Sequence, residues 1–545
     1  MGEEEARAGV FSALSALGAF PFGFAFWLVG VLPVDKKVGE TVVNVGVMMG
    51  AFLVVVVSME RRFGMALASG AFVVGALLAA CAAPNAWVLL GCLFVMGSAS
   101  GLGLAATGAY VAEIAPPECR GRLVSFVEAG AASGACCARA LALLLEIFPG
   151  RHTWRVLVLI GALLSILLLW AIEIDDLLPP SPRFFLARVV TAKKRQGRNS
   201  NDETHEASFL SSSSSFFTKD QRLEWRQAME RLAISRPEDF LKEVQGAPKM
   251  ISKRRVLTLA IFVVAARTLS GVDVILSDPL LRDRAGKVYA NAAGLVFASA
   301  RASTAFLVAK TSIFDKLGRI PIVLFSAAVT SLLLLVLALS LLFGLLHSRD
   351  VVVVFITLYA MAAEVGIFSG SWVLVSEILD TSMRLRGLGL AILIDAALFT
   401  FLQSPFVVQN IGGYEGLFSL FAASTFLVFI IFFFFLPRDT EGKTLEDITD
   451  HIDDLAEDET DYYDAVAEDT LDCLESAAYF AYDSVSDAAV VLLAPVTGHK
   501  KRPQSTTSAT AAADDNNNAS QAAAYYGSFD HETTTTESQK RPSSS

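Results

Sequence analysis

The chain has 545 residues, of which 54% are hydrophobic and 18% charged, with a formal net charge of −11. A mean hydropathy of +0.52 excludes a water-soluble globular domain. No spaced Cys/His cluster, phosphate-binding loop or nucleophile motif occurs, so metal, cofactor, nucleotide, nucleic-acid and enzyme readings have no footing in the sequence.

Twelve apolar runs follow in chain order, approximately 10–33, 41–59, 65–83, 86–111, 123–145, 153–174, 256–277, 288–313, 320–346, 351–376, 388–410 and 415–436. Each approaches the roughly 20 residues that a helix needs to cross a bilayer core of about 30 Å. Lipid cannot satisfy open backbone groups, so the expected fold class is an all-α membrane protein. One long polar interruption separates the sixth run from the seventh. The expected organisation is an N-terminal segment (1–9), a first six-helix half (10–174), a central loop (175–255), a second half (256–436) and a tail (437–545).

Basic residues set the orientation. Arg183, Arg188, Lys193, Lys194, Arg195 and Arg198 lie in the central loop, with Lys253, Arg254 and Arg255 before the seventh run. Arg61, Arg62, Arg120, Arg122, Lys316, Arg319, Arg384 and Arg386 share that side. It reads as cytoplasmic, which puts both termini there, in the plasma membrane or an endomembrane. Met1-Gly2-Glu3 lacks the basic start of a cleavable signal. The six cysteines fall in spans or on the cytoplasmic side, so no disulfide is expected. Gln221 to Glu243 reads as an amphipathic helix in the central loop. Carboxylates crowd the chain from Asp439 to Asp487, and Ser, Thr, Ala and Asn dominate beyond Gly498, a composition expected to stay largely disordered.

Two short intervals duplicate one another. Glu113 precedes Arg120 after the fourth run, and Glu377 precedes Arg384 after the tenth, 264 residues later at 377 against 113 and 384 against 120. Glu60-Arg61-Arg62-Phe63-Gly64 after the second run is answered by Asp315-Lys316-Leu317-Gly318-Arg319 after the eighth. Internal duplication of a membrane bundle points to a carrier. A carrier must close one side and reopen it, and exposed Arg–carboxylate pairs, worth roughly 0–1 kcal/mol each, suit a latch that forms and breaks easily. Glu113, Arg120, Asp315, Arg319, Glu377 and Arg384 are the expected cytoplasmic latch.

These loops resemble those of the major facilitator superfamily, in the branch of sugar porters and the related organic-ion and synaptic-vesicle-type carriers. Tyr110 to Arg122 resembles the E-x-x-P-x-x-x-R-G loop, and Ser181-Pro182-Arg183 the end of P-E-S-P-R. Asp315 to Arg319 resembles D-x-x-G-R, Trp372 to Glu377 resembles W-x-x-x-S-E, and Pro437 to Ile448 resembles P-E-T-K-G-x-S/T-L-E-E-I. The resemblance covers roughly residues 10–450. It implies two pseudo-symmetric six-helix halves that rock about a midplane site. The sequence departs from the pattern where Met65 and Ala66 follow Gly64 in place of two basic residues.

The midplane departs further. Phe22-Gly23-Phe24-Ala25 resembles the sugar-porter F-G-Y-D, with Ala25 in place of its carboxylate. Arg267-Thr268-Leu269-Ser270-Gly271-Val272-Asp273 stands where Q-Q-L-T-G-x-N is usual, so two amides are replaced. The charges in the spans are Glu128, Arg139, Arg267, Asp273, Arg301, Glu364 and Asp395, with Trp372 beside them. Each costs about 2.5–3.5 kcal/mol on insertion scales, so each needs a function or a partner. Residues eleven apart share a helix face, which aligns Glu128 with Arg139 and Arg267 with Asp278. The groups are expected either to line a solvated substrate cavity or to pair across helices. Proton coupling would fall to Glu128, Glu364 or Asp395.

The expected function is a secondary transporter of a small polar, charged organic solute by alternating access, with no cofactor. A facilitative hexose or polyol carrier is the alternative, and a non-transporting sensor or vesicle-membrane protein signalling through the tail is the third. The expected partners are the solute, the bilayer and a coupling proton.

Overall fold

Twelve helices long and apolar enough to cross a bilayer are found among the described residues of the computed structural model. These residues are 3–435 apart from 58, 82–84, 148–152, 174–176, 182, 185–249, 278–286, 345–348, 380, 382, 405–406 and 408–412. The amphipathic segment at 221–243, Asp278 and the tail lie outside them.

The first half holds spans Glu5–Leu28, Lys36–Val56, Arg61–Cys81, Ala86–Ile114, Arg120–Leu145 and Trp154–Glu173. The second holds Val256–Ile275, Asn291–Thr311, Arg319–Leu342, Asp350–Ile378, Arg384–Leu402 and Gly416–Phe434. Apolar side chains such as Phe325, Leu332 and Phe434 face outward, as a lipid-facing surface requires. The five described cysteines are free.

Within the first half, the second and fourth spans cross closely because small residues face each other. A Cβ on Gly97 or Gly101 would stand 2.3 Å from the carbonyl oxygen of Val43 or Val47. Between the halves, the second span packs on the eleventh and the fifth on the eighth.

Several boundaries differ from the sequence reading. The first helix already begins at Glu3, where the sequence suggested a separate segment to residue 9, because Arg122 reaches Glu5 at 2.6 Å and ties the helix start to the bundle. The seventh helix begins at Met250 and the eleventh at Arg384, earlier than hydropathy suggests, because polar residues continue the helix beyond its apolar part.

Two spans are irregular at mid-length. The seventh breaks between Leu269 and Val272 at Gly271, whose φ of +78° only glycine adopts freely. The tenth carries a π turn, Glu364–Phe368, where the hydroxyl of Ser326 donates to the Ala362 carbonyl and accepts from the Ile367 N–H. Irregular turns of this kind free backbone and re-aim side chains, and they cluster at functional sites.

Candidate functional site

The two irregular turns bring charged residues of several spans to one point. Glu128 of the fifth span is 1% exposed and is the contribution of the first half. Its Oε2 accepts from Arg267 Nη1 and from Trp372 Nε1, each at 2.8 Å, and its Oε1 faces Arg301 Nη2 at 3.4 Å. Arg301 also donates to Asp273 at 2.7 Å and to Glu364 at 2.8 Å. Both guanidiniums lie over the Phe368 ring, and Arg267 lies near Trp372 as well. Thr268 donates to Asp395 at 2.7 Å. Six of the eight expected midplane residues are thus linked by hydrogen bonds, and Asp395 stands beside them on Thr268, the neighbour of Arg267 in the chain; all of these except Glu364 also line a cavity.

That cavity measures about 780 Å³, its open mouth included. Phe22, Phe26, Trp27 and Val47 give it an apolar lining, and Glu128, Arg267, Asp273, Arg301, Trp372 and Asp395 a polar one.

Arg139, the eighth residue, stands apart. Its guanidinium lies 3.7 Å from the centre of the Trp27 ring, and it lines a smaller pocket with Arg301 and Gly294. Alternating span directions put Arg139 at the end of the bundle opposite the Glu113 loop. There Gln403 donates to Glu40 at 2.9 Å and Phe26 meets Phe399 edge to face at 5.3 Å, each contact joining the two halves. Sequence reasoning missed this clasp, because Glu40 and Gln403 sit 363 positions apart and belong to no motif.

At the other end the latch residues meet, and Arg61 joins them. Glu113 accepts from Arg61 at 2.9 Å, and Glu377 accepts from Arg319 at 3.0 Å. The start of the third span lies beside the end of the fourth, and the ninth beside the tenth, which brings these pairs together. Arg120 acts on Glu377 electrostatically across the halves, and Arg384 Nε donates to the Leu379 carbonyl at 3.2 Å. Asp315 accepts from the backbone N–H groups of Gly121 and Arg122 at 3.1 Å each, and Arg61 donates to Thr381 at 3.0 Å. Burial pushes the Asp315 carboxyl above its ordinary pKa, while Arg319 and the two N–H groups pull it back. The latch is not exposed: Glu113 is 0%, Arg61 3% and Arg384 0% exposed. Arg61 is the member that motif reading missed, although its loop is the counterpart of the one that ends at Arg319.

A family model described as "Sugar (and other) transporter" matches residues 35–451. The chain belongs to that family. As a sugar-transporter-family member it is a multi-pass membrane transporter of the major facilitator fold. The solved xylose transporter XylE, titled a proton:xylose symporter and bound to 6-bromo-6-deoxy-D-glucose, aligns with a TM-score of 0.68 at 16% identity, covering 82% of this chain and 99% of that one. The inward-open form of XylE from E. coli aligns with a TM-score of 0.52 at 17% identity, covering 81% of this chain and 98% of that one. A curated relative, the "D-xylose-proton symporter-like 2" of Arabidopsis thaliana, is 36% identical over 141 residues, covering 25% of this chain and 27% of that protein. The family member thus matches about a quarter of that curated relative's length.

Proposed function

We propose that this transporter moves a small neutral polyhydroxylated solute, of the sugar or polyol class, by alternating access, with the latch end and both termini on the cytoplasmic side. One observation carries the solute class. Each midplane arginine is already held by a carboxylate, Arg267 by Glu128 and Arg301 by Asp273 and Glu364, so the site offers no free cation to an anionic solute. What faces the cavity suits hydroxyl groups: carboxylate oxygens of Asp273 and Asp395 that accept, guanidinium edges that donate, and an aromatic wall. The amides of the sugar-porter pattern are absent, and paired ions take over their donor and acceptor roles. The relatives' names, a proton:xylose symporter and a D-xylose-proton symporter-like protein, agree with this class.

A second reading, an organic cation, is favoured by the surplus of carboxylates over arginines in the same network. It keeps part of the charged-solute expectation and discards the anions.

The purified chain reconstituted in liposomes separates these readings. Uptake is measured for D-xylose, D-glucose, a polyol, an organic ammonium ion and a sugar acid, with and without an inward proton gradient. Sugar or polyol uptake is the expected result. Uptake of the ammonium ion alone transfers the assignment to the second reading, and uptake of the sugar acid alone overturns both.

A further inference from the structure

Four carboxylates crowd two guanidiniums at the midplane. Glu128, Asp273 and Glu364 surround Arg301 at 3.4, 2.7 and 2.8 Å, Asp395 stands beside Thr268, and Arg267 is engaged by Glu128. Of the four, Glu364 is the one wholly sealed from water, at 0% exposure, on the π turn of the tenth span. Its two oxygens are not equivalent. Oε2 accepts from Arg301 Nε, whereas Oε1 is buried and meets no donor. An ionised carboxylate puts half its charge on each oxygen, and an undonated half charge in a dry site is costly. A neutral carboxyl keeps the Arg301 hydrogen bond through Oε2 and removes the unmatched charge from Oε1.

We propose that Glu364 is a proton-binding site of this carrier. The proton adds to Oε1, an O–H bond forms, and Glu364 becomes neutral. Arg301 then has two ionised neighbours in place of three and leans toward Asp273 and Glu128. Because Glu128 belongs to the first half and Arg301 to the second, protonation of Glu364 strengthens a contact that draws the halves together over the cavity. The charged and titratable groups that act on Glu364 are Arg301 of the eighth span, Glu128 of the fifth and Arg267 of the seventh. Asp273, after the break in the seventh span, shares Arg301 with it. The ninth span presents Ser326, which does not titrate.

The proposal rests on the carrier reading, and its test needs no transported solute, so a failed uptake panel and a failed proton site stay distinct. The full-length protein is placed in lipid nanodiscs, and infrared difference spectra are recorded across a pH titration in light and heavy water. The expected result is a titrating carbonyl-stretch band of a protonated carboxyl in the wild type. That band is lost in Glu364→Gln and retained in Asp395→Asn. Glu364→Asp keeps a carboxyl and is expected to keep a band with a displaced midpoint, which separates loss of the site from loss of the fold. A wild type with no titrating band, a band unchanged in Glu364→Gln, or loss of the band in both Glu364 variants overturns the assignment.

Discussion

Arg267 and Asp395 both line the cavity, yet their surroundings predict responses to neutralisation of different size. Arg267 is 5% exposed, and its Nη1 donates to Glu128 and to the Phe368 carbonyl. Removing one member of a buried pair strands the other charge, at a cost of about 3–5 kcal/mol. Arg267→Gln is therefore expected to lower thermal stability in detergent by an amount of that order, and Glu128→Gln in the same chain to return part of it. Such non-additivity is the signature of contacting residues. Asp395→Asn is expected to be mild, because an amide oxygen can still accept from Thr268. Thermal unfolding of the three variants checks this, and additive losses for Arg267→Gln and Glu128→Gln would contradict the pairing. The identities of these residues were legible as unusual charges within apolar runs. Their partners were not, since Glu128 meets Trp372 across 244 positions and no local spacing encodes that meeting.

At the scale of elements, the sequence presented the duplicated loops as recurring units and left their pairs open, and in the structure pairs form between neighbouring helix starts and ends. Arg61 with Glu113 and Arg319 with Glu377 are the same construction in the two halves. Because these pairs are buried, the latch is a packed surface and not a set of free-standing salt bridges. Gly121 belongs to that surface. A Cβ there would stand 2.6 Å from Asp315 Oδ1 and 2.9 Å from Phe314 Cβ, so Gly121→Ala is expected to wedge the latch open and raise cytoplasmic-side reactivity of a cysteine placed at Ala131 in a background without native cysteines. Unchanged labelling would mean that the latch is not what seals this end. Acidity acts in the other direction. The closed latch holds a proton on Asp315 more readily than a hydrated carboxyl does, so closure gains fully below the ordinary aspartate pKa and loses that gain as pH rises through the raised one. The turns at Gly271 and Glu364–Phe368 had no hydropathy signal, since one backbone break inside a span leaves the apolar run continuous.

For the whole molecule, the cross-half contacts fall in three layers, and this arrangement predicts how the carrier opens. Asp315 with Gly121 and Arg122 closes one end, Glu128 with Arg267 and Arg301 spans the middle, and Glu40 with Gln403 and Phe26 with Phe399 close the other. Both ends carry contacts between the halves around the cavity, an arrangement that hydropathy, which counts only the twelve spans, does not show. Alternating access requires the two ends to break one at a time. The Glu40–Gln403 hydrogen bond and the Phe26–Phe399 contact are together worth about 1–3 kcal/mol, whereas the latch at the Glu113 end is buried and many-membered among the described residues. The end at Glu40 and Gln403 is therefore expected to open the more easily. Gln403→Ala combined with Phe399→Ala is expected to raise labelling of the Ala131 cysteine from the outside several-fold and to leave cytoplasmic-side labelling no higher than before, the reverse of the Gly121→Ala pattern. Labelling that rises from both sides at once would mean that the halves separate as a whole and not by rocking about Glu128. A rise from the cytoplasmic side alone would invert the orientation proposed for the two ends.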